Sequence, residues 1–472
     1  MDLRDLRVTV MGLGIHGGGV GAAAYFARHG SRVTATDLKD AEALAPSVKA
    51  LRGLPVHLVL GEHRNEDFQR SDLIIRSPAV PETSPLLQFA RSKAISVETD
   101  ASLACHLLLC ASSCKAGLSS LPLPSLPASC FMIGISGTKG KTTTASLVTE
   151  AWRALTIPVA LAGIPGTSFL DTLHYIEQKR SSAVLVAELS SWQLETLTPH
   201  AVSPPIALLT NLFPDHLNRH GTMQAYQNAK SALFRFQKAE DVLIVPEADR
   251  GVWESHLGYG AIRTIGVHET AKVPPLRIAG DHNRMNAALA LAAVETALAH
   301  PQFPRDCHPR ERSLKRARAA IAKFPGINGR LQEIAVWEQR RFVNDTTATN
   351  PGAAIAALAS CNGPLILIAG GVDKDLPYEA LAECIASRVK HLVLLDGSAS
   401  EKLAALLPES SRFKTPRWNR MEDAVEAAFR VSAPGDTILF SPAAASFNLF
   451  QDEFARGAAF NEAVKKLAEK HA

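Results

Sequence analysis

The sequence lacks the features of membrane, exported and nucleic-acid-binding proteins. Its most apolar stretch, residues 103–113, is broken by His106 and is shorter than the roughly 20 residues that cross a bilayer. The first residues show no signal-peptide pattern. The 50 basic and 46 acidic side chains leave a formal net charge of only +4, too small over 472 residues for a general attraction to nucleic acid or membranes.

Cysteine is also scarce. The seven cysteines are an odd number, are scattered along the chain and form no close Cys-x-x-Cys pair, which favours reduced thiols over a disulfide framework or a structural zinc site. We therefore expect a cytoplasmic, monomeric protein that acts on small molecules, with no nucleic-acid or membrane partner.

The chain is too long for one compact domain. Alternating strand and helix patterns predict three α/β domains, over residues 1–104, 131–326 and 327–472. Residues 105–130 are rich in proline and serine and are predicted to form a linker or insertion. In the middle domain, the alanine-rich segment 284–299 predicts an amphipathic helix.

A phosphate-binding loop is predicted at the start of the middle domain. Residues 136–142, Ser-Gly-Thr-Lys-Gly-Lys-Thr, lie between an apolar strand and a helix, where backbone N–H groups cradle phosphates. The strict pattern has glycine where this chain has Ile135. A glycine turn without nucleotide is the weaker alternative, because glycine, lysine and threonine coincide at the right place. The middle domain is thus predicted to be P-loop ATPase-like, with nucleotide held by Gly137, Thr138, Lys139, Gly140, Lys141, Thr142 and Thr143.

Polar residues follow two further strands of that domain. Glu188 follows the strand 183–187, and Asp215 and His216 follow the strand 206–209. The carboxyl ends of parallel strands are where α/β folds bind ligands, and a carboxylate there suits magnesium. A plain polar turn is the alternative for Asp215 and His216.

The first domain carries Gly12-x-Gly14-x-x-Gly17 after a strand, with Asp37 ending the next strand. This is the dinucleotide fingerprint of a Rossmann-like domain and alone suggests a dehydrogenase. That interpretation leaves the phosphate loop, Glu188, His216 and the whole third domain without a role.

The motifs, in this order, resemble those of the Mur ligases, and the short phosphate loop is also similar to that of folylpolyglutamate synthases. The resemblance implies two magnesium ions held by Thr142, Glu188, His216 and a carbamylated Lys230, with Lys141, His216 and Lys230 essential to catalysis. Without the resemblance, Lys230 would be expected at the surface like most lysines.

The same resemblance assigns further substrate contacts. It implies ATP contacts at Asn283 and Asn286, for which helix capping is the alternative, and at Arg330 and Asp345 of a Rossmann-like third domain. It gives the first domain a UDP-sugar site in place of a dinucleotide site, formed by Gly14, Ile15, His16, Asp37, Lys39 and Ser77. The chain departs from the family pattern at Thr347, where a lysine is usual, and at Ile164, where an asparagine is usual.

The third domain resembles most closely the D-glutamate-adding members of the family. Lys374 on the turn after Gly370 and Gly371 is similar to the lysine that holds the amino-acid carboxylate there, and residues 441–446, Ser-Pro-Ala-Ala-Ala-Ser, are similar to their characteristic run. The implied amino-acid site is Thr349, Lys374, Ser446 and Phe447.

These resemblances imply an ATP-dependent ligase that joins D-glutamate to UDP-N-acetylmuramoyl-L-alanine through an acyl phosphate, in cytoplasmic peptidoglycan precursor synthesis. Three alternatives remain open from the sequence: another amino-acid specificity within the family, a folylpolyglutamate-synthase-like ligase, and a non-catalytic UDP-sugar-binding regulator.

Overall fold

The computed structural model describes residues 3–15, 17–110, 130–164, 166–179, 182–278, 280–303, 310–409 and 416–471. Most of the predicted linker, and the candidate residue His16, lie outside the described residues. The chain forms two compact units, one of Met1–Pro275 with His282–Lys323 and one of Leu276–Asp281 with Phe324–Ala472. The first unit contains two β-sheets and the second contains one.

The first sheet has five parallel strands in the order β3-β2-β1-β4-β5. Because the strands are parallel, the loops after β1, β2 and β4 lie at one edge, and the strand order reverses between β1 and β4, where α/β folds bind ligands. Its elements are β1 (Arg7–Met11), α1 (Gly18–Arg28), β2 (Arg32–Asp37), α2 (Ala45–Ala50), β3 (Val56–Leu60), α3 (Asn65–Gln69), β4 (Leu73–Arg76), α4 (Pro85–Ser92), β5 (Ser96–Glu98) and α5 (Asp100–Leu109).

The second sheet has six parallel strands in the order β11-β10-β9-β6-β8-β7. Strand β8 is buried at every residue, as expected for a central strand covered on both faces. Its elements are β6 (Cys130–Ser136), α6 (Lys141–Ala154), β7 (Val159–Ala162), α7 (Phe169–Glu177), β8 (Ala183–Glu188), α8 (Ser191–Leu197), β9 (Ile206–Leu209), α9 (Leu217–His220), α10 (Met223–Ser231), β10 (Val242–Pro246), α11 (Arg250–Glu254), β11 (Ala261–Ile265), α12 (Val267–Ala271), α13 (Asp281–Ala299) and α14 (Arg310–Lys323).

The prediction of an amphipathic helix at residues 284–299 is wrong. Helix α13 is buried on most of its circumference, and its buried residues run without a polar stripe from Asn286 to Ala290 and again from Ala292 to Val294. Alanine is small enough to let neighbours approach on every side, so its presence indicates close packing and not one apolar face.

The third sheet, in the second unit, has the order β12-β13-β17-β14-β15-β16. It is parallel except for the antiparallel β12–β13 pair at one edge. Its elements are β12 (Gln332–Trp337), β13 (Arg340–Asn344), α15 (Pro351–Ser360), β14 (Leu365–Ala369), α16 (Glu379–Arg388), β15 (Val389–Leu395), α17 (Ser398–Leu406), β16 (Arg417–Trp418), α18 (Met421–Val431), β17 (Thr437–Phe440) and α19 (Glu453–His471).

Among the described residues, none of the helices combines the length and the apolar character that a membrane span needs.

Candidate functional site

The predicted phosphate loop connects β6 to α6. Gly140 caps α6 in the left-handed region with φ 81°, and Gly137 has φ 137°. A Cβ at Gly137 would lie 2.0 Å from Oγ1 of Thr210, and one at Gly140 would lie 2.7 Å from Oδ1 of Asn286. Both positions therefore require glycine, and the loop is held open at the N-terminus of a 14-residue helix, where backbone N–H groups favour anions.

The loop is fixed by the segment that follows β9. The side chain of Asn211 accepts from the backbone N–H of Lys139 at 2.8 Å and donates to the carbonyl of the same residue at 3.0 Å. The backbone N–H of Phe213 donates to Oγ1 of Thr138 at 3.0 Å. Lys139 also pairs with Asp215 at 3.1 Å. These contacts make Asn211 and Asp215 part of the frame that shapes the loop.

Lys141 and Thr142 occupy the first turn of α6. Nζ of Lys141 donates to the carbonyls of Gly137 at 3.0 Å and Thr138 at 2.9 Å, so the ammonium group lies over its own loop. Thr142 is buried and Thr143 is half-buried. A cation at the mouth of a loop lined by N–H donors is an arrangement that attracts polyphosphate.

Lys230, on α10, is buried with only 1% of its surface exposed. Its Nζ donates to the carbonyl of Gly137 at 2.8 Å and lies 4.6 Å from the ring centre of Tyr226. Burial, followed by the nearby charge of Lys141, lowers the pKa of Lys230 to about 7. A substantial fraction of this amine is therefore neutral and nucleophilic at neutral pH.

Glu188 lies at the end of β8 and His216 follows β9, the two strands that lie on either side of β6 in the second sheet. Glu188 is buried as the last residue of β8, paired in register with Ile135 immediately before the phosphate loop. His216 has a left-handed backbone with φ 53°, and its ring is about half exposed. Burial lowers the pKa of His216 against the opposing effect of Asp215. A neutral imidazole is the form that binds a metal.

Asn283 and Asn286 are both buried on the first turns of α13, with Nδ2 of Asn286 donating to Oδ1 of Asn283 at 3.3 Å. Asn286 also lies against Gly140 of the phosphate loop. Asn286 therefore connects Asn283 and the start of α13 to the phosphate loop.

The candidate UDP-sugar residues surround the carboxyl edge of the first sheet. A cleft of about 560 Å³ is lined by Gly14 and Ser77 on this sheet and by Ile164 and Trp192 on the second. Ile15 is half-buried and Lys39 is exposed, and neither lines the cleft. Ile164, which stands where the family pattern has asparagine, thus contributes an apolar side chain to the wall of the cleft.

Asp37 has a structural task at this edge. Its two carboxylate oxygens accept hydrogen bonds from the backbone N–H groups of Gly14 and Lys39, each at 2.9 Å. The carboxylate therefore shapes the glycine loop, and its oxygens already have partners, unlike an acidic residue that binds a ribose hydroxyl in a dinucleotide site.

In the second unit, Asp345 follows β13 and is buried. It accepts from the backbone N–H of Leu331 at 3.1 Å and from Oγ of Ser441 at 2.8 Å. Burial raises the pKa of Asp345 to about 7. Arg330 is exposed beside this turn, and the hydroxyl of Thr347 donates to the carbonyl of Gly329 at 3.0 Å. The threonine that departs from the family pattern therefore locks the turn that carries Arg330.

The structure brings the turn bearing Lys374 next to the run bearing Ser446. Val372 and Ala445 exchange backbone hydrogen bonds at 2.9 and 3.0 Å. Lys374 is exposed, Ser446 is buried and Phe447 is 69% exposed. Thr349 is half-buried in the loop after β13.

Arg456 is the residue in this unit whose role the sequence did not reveal. It is 1% exposed and donates from Nη1 to the carbonyl of Ala444 at 3.0 Å and from Nη2 to the carbonyl of Thr346 at 2.9 Å. One guanidinium thus joins the loop after β13 to the loop after β17. The sequence offered one indication of a role for Arg456, namely that an arginine and a glycine follow each other near a helix start. The burial of the Arg456 side chain was not predictable from motif spacing.

Comparison with protein families gives three matches along the chain. Residues 6–99 match the Mur ligase MurD-like N-terminal domain, residues 135–273 match the Mur ligase middle domain, and residues 329–444 match the Mur ligase glutamate ligase domain. The matched ranges follow the three sheets in order.

Full-length relatives and solved structures agree with these matches. UDP-N-acetylmuramoylalanine–D-glutamate ligases of Roseiflexus and Trichlorobacter lovleyi are 37% and 33% identical, each over 99% of this chain and 100% of the relative. Among solved structures, the Thermotoga maritima UDP-N-acetylmuramate–alanine ligase MurC aligns over 98% of this chain and 100% of its own, with TM-score 0.60 and 18% identity. The Thermotoga maritima MurF ligase in complex with ADP aligns over 100% of both chains, with TM-score 0.57 and 16% identity.

Proposed function

The chain belongs to the Mur ligase family, and from this premise we infer that it joins D-glutamate to UDP-N-acetylmuramoyl-L-alanine in peptidoglycan precursor synthesis, at the expense of ATP. The observation that carries the inference is the match, over 99% of the chain, to relatives that all bear the name of this D-glutamate ligase. The alanyl carboxylate attacks the γ-phosphate of ATP to give an acyl phosphate and ADP. The amine of D-glutamate then displaces inorganic phosphate and loses a proton to solvent as the amide forms.

ATP is assigned to the loop between β6 and α6. The fit rests on Gly137 and Gly140, whose positive φ and missing side chains let the loop keep its shape against Thr210 and Asn286, and on the N-terminus of α6, where N–H groups favour an anion. Lys141 lies over this loop and would neutralise charge on the transferring phosphoryl group. Asn283 and Asn286 would contact the nucleotide from the start of α13, and Arg330 and Asp345 are proposed as further ATP contacts.

Magnesium is assigned to Thr142, Glu188, His216 and Lys230. A hydroxyl and a buried carboxylate are oxygen donors of the kind that magnesium prefers, so the residues present fit the ion. When bound, the ion would offset the negative charge of ATP and of the reacting carboxylate.

Lys230 fits this set only as a carbamate, since an ammonium group repels a cation. Its lowered pKa of about 7 supplies the neutral amine that attacks carbon dioxide. In that step an N–C bond forms, one carbon–oxygen π bond opens to an oxyanion and one amine proton leaves to solvent. The product is an anion that keeps one N–H on Nζ, which can still donate to the carbonyl of Gly137 in the phosphate loop.

The two remaining substrates are assigned to the first and third sheets, which precede and follow the ATP-binding sheet along the chain. The UDP-sugar is proposed to enter the cleft lined by Gly14 and Ser77, with Ile15 and Lys39 at its rim and Asp37 shaping the loop. Residue His16, outside the described residues, stays a prediction for the same site. D-Glutamate is assigned to the joined turn and run that carry Lys374 and Ser446, with Thr349 and Phe447.

The reaction is proposed to occur in the cytoplasm and in a monomer. The described cysteines Cys105, Cys130, Cys361 and Cys384 are free thiols, which fits a reducing compartment.

The experiment that tests the function is ATP-dependent phosphate release with UDP-N-acetylmuramoyl-L-alanine and a panel of amino acids that includes both glutamate enantiomers. Release is expected with D-glutamate. Release with L-glutamate or lysine alone would contradict the assignment, and UDP-sugar binding without any release would make the chain a regulator.

A further inference from the structure

A second cluster of ligand atoms lies away from the phosphate loop, between α1 of the first sheet and α7 of the second. His29, His174 and Glu177 each offer one nitrogen or oxygen atom, and these atoms lie within 4.8 Å of one another. Nε2 of His29 is 3.1 Å from Oε2 of Glu177, and Nδ1 of His174 is 3.7 Å from the same oxygen. All three residues are partly shielded from solvent.

The hydrogen bonds of His29 fix which ring nitrogen carries its proton. Nδ1 lies 2.7 Å from the backbone carbonyl of Tyr25, which accepts only, so Nδ1 must donate. In a neutral ring, Nε2 then presents a lone pair to the carboxylate of Glu177. Two acceptors face each other at 3.1 Å, an arrangement that needs a positive charge between them or on the ring.

His174 and Tyr25 complete the surroundings. Nδ1 of His174 is buried and makes no hydrogen bond within the described part of the chain, while its Nε2 lies 2.9 Å from the side-chain amide of Gln178. The hydroxyl of Tyr25 donates to Oε1 of Glu177 at 2.9 Å, leaving Oε2 directed at the two imidazoles. Metal-binding carboxylates and imidazoles are typically held in place by such additional hydrogen bonds. Here the Tyr25 hydroxyl holds Glu177, and the Tyr25 carbonyl holds His29.

We propose that His29, His174 and Glu177 bind one divalent transition-metal ion of the zinc class. Two imidazole nitrogens and one carboxylate oxygen are a common zinc donor set, with a fourth position for water. The ligand atoms need to move by only about 1 Å for bonds of roughly 2.0–2.2 Å to a shared ion. His174 binds through Nδ1 with its proton on Nε2, which donates to the carboxamide oxygen of Gln178 after that amide turns over.

The cluster lies where helix dipoles favour a cation and where a bound ion would link α1 to α7. His29 caps the C-terminus of α1 and Glu177 ends α7, so two helix C-termini direct their negative dipole ends at the cluster. The N-terminal ends of the same helices also meet, since a Cβ at Gly21 would lie 2.2 Å from Cβ of Ser168. The two helices therefore run side by side, and Gly18 and Thr167, near their N-termini, line the 560 Å³ cleft. The ion would fasten together the two sheets that form the cleft.

Zinc titration of the full chain, stripped with chelator and kept in saturating Mg²⁺, tests the proposal. Calorimetry with Zn²⁺ is expected to show one equivalent per chain. His174→Gln and Glu177→Gln should each weaken that binding by at least about 100-fold, since each removes one of three ligands. His268→Gln, a substitution of an exposed histidine on α12, should bind Zn²⁺ as the unaltered chain does.

Two further measurements test the metal site even if a variant that lacks a ligand fails to fold. Tyr25→Phe retains all three ligands and should weaken Zn²⁺ binding about tenfold through loss of one supporting hydrogen bond. Co²⁺ added to the unaltered chain should give the strong visible absorption of a four-coordinate ion. Unchanged Zn²⁺ affinity in His174→Gln, loss of the tight equivalent in His216→Ala, or only the weak spectrum of six-coordinate Co²⁺ would each overturn the proposal and leave His29 and Glu177 as an ordinary ion pair.

Discussion

Nζ of Lys230 lies 2.8 Å from the carbonyl oxygen of Gly137, so a buried lysine on α10 is hydrogen-bonded directly to the phosphate loop. Lysines are rarely buried without a charged partner, because removal of the ammonium group from water is costly. The nearest cation, Lys141, adds repulsion to that cost. The positive charge of Lys230 is therefore unfavourable at this site, and carbamylation would replace it with a negative charge.

Lys230 gives the stability of the protein a specific pH dependence. In the folded chain its pKa is about 7, below the ordinary value of 10.5, so the unfolded chain binds more protons between these values. The free energy of unfolding therefore rises with pH across that window, by at most about 1.4 kcal/mol per pH unit from this group. Denaturant unfolding in bicarbonate-free buffer between pH 7 and 9.5, where Lys230 is an unmodified amine, should show this rise in the unaltered chain relative to Lys230→Met.

The matched control is Lys238→Met, which removes an exposed lysine a short distance along the chain. Its difference from the unaltered chain should not vary with pH. A Lys230→Met difference that is equally flat would show that the Lys230 amine keeps an ordinary pKa.

The proposed carbamylation of Lys230 predicts that the ligation rate depends on carbon dioxide. Protein freed of bicarbonate should lose most of its activity and regain it when bicarbonate is added, because the carbamate forms reversibly from the neutral amine. Lys230→Arg, which keeps a cation and cannot form the carbamate, should be inactive with or without bicarbonate. Carbon-13 NMR with labelled bicarbonate provides the direct measurement, and full activity of the bicarbonate-free protein would contradict the modification.

Lys141→Ala and His216→Ala are expected to reduce ATP-dependent phosphate release by about 10³-fold or more, since each removes charge stabilisation from phosphoryl transfer. Both side chains are at least partly exposed to solvent, so the fold should survive, as circular dichroism and thermal unfolding can verify. His268→Gln serves as the control for histidine loss. Turnover near that of the unaltered chain in either alanine variant would remove that residue from the site.

Motif spacing was enough to predict the parts of this site that depend on the backbone. The phosphate loop lies between β6 and α6, and the polar residues after β8 and β9 stand at the same sheet edge, because parallel strands place their carboxyl ends together. The α/β class with three domains in order was predictable for the same reason, and the family matches confirm it.

Side-chain burial and pairing were beyond the reach of spacing. Nothing in the sequence distinguishes Lys230 from an exposed lysine except its place after Asp215 and His216. The double role of Asp37, bonded to Gly14 and Lys39, depends on loop geometry that only the folded chain defines. Helix α13 was misjudged because alanine suits both a half-exposed and a fully enclosed helix.

Arg456→Lys should destabilise the second unit and impair amino-acid binding together. The guanidinium makes three hydrogen bonds, to the carbonyls of Ala444 and Thr346 and to Oγ1 of Thr346, and a lysine cannot reproduce this planar fork. A loss of about 2–4 kcal/mol in the free energy of unfolding and a raised KM for D-glutamate are expected. Arg420→Lys, at an exposed arginine, is the control. Equal stability of the two variants would show that the fork contributes nothing.

Lys374→Ala should raise the KM for D-glutamate at least about tenfold and leave the KM for ATP unchanged, because a lysine on a glycine turn is placed to hold a carboxylate. The turn is fixed by the Val372–Ala445 bridge, and the neighbouring Asp373 is paired with Lys402 at 3.0 Å, so loss of the Lys374 side chain should leave the turn intact. Lys465→Ala, at an exposed lysine on α19, is the matched control and should alter neither constant. Steady-state phosphate release at varied D-glutamate measures the effect. A fall in kcat with no change in the KM for D-glutamate would place Lys374 in the chemical step and leave the amino-acid carboxylate without its proposed partner.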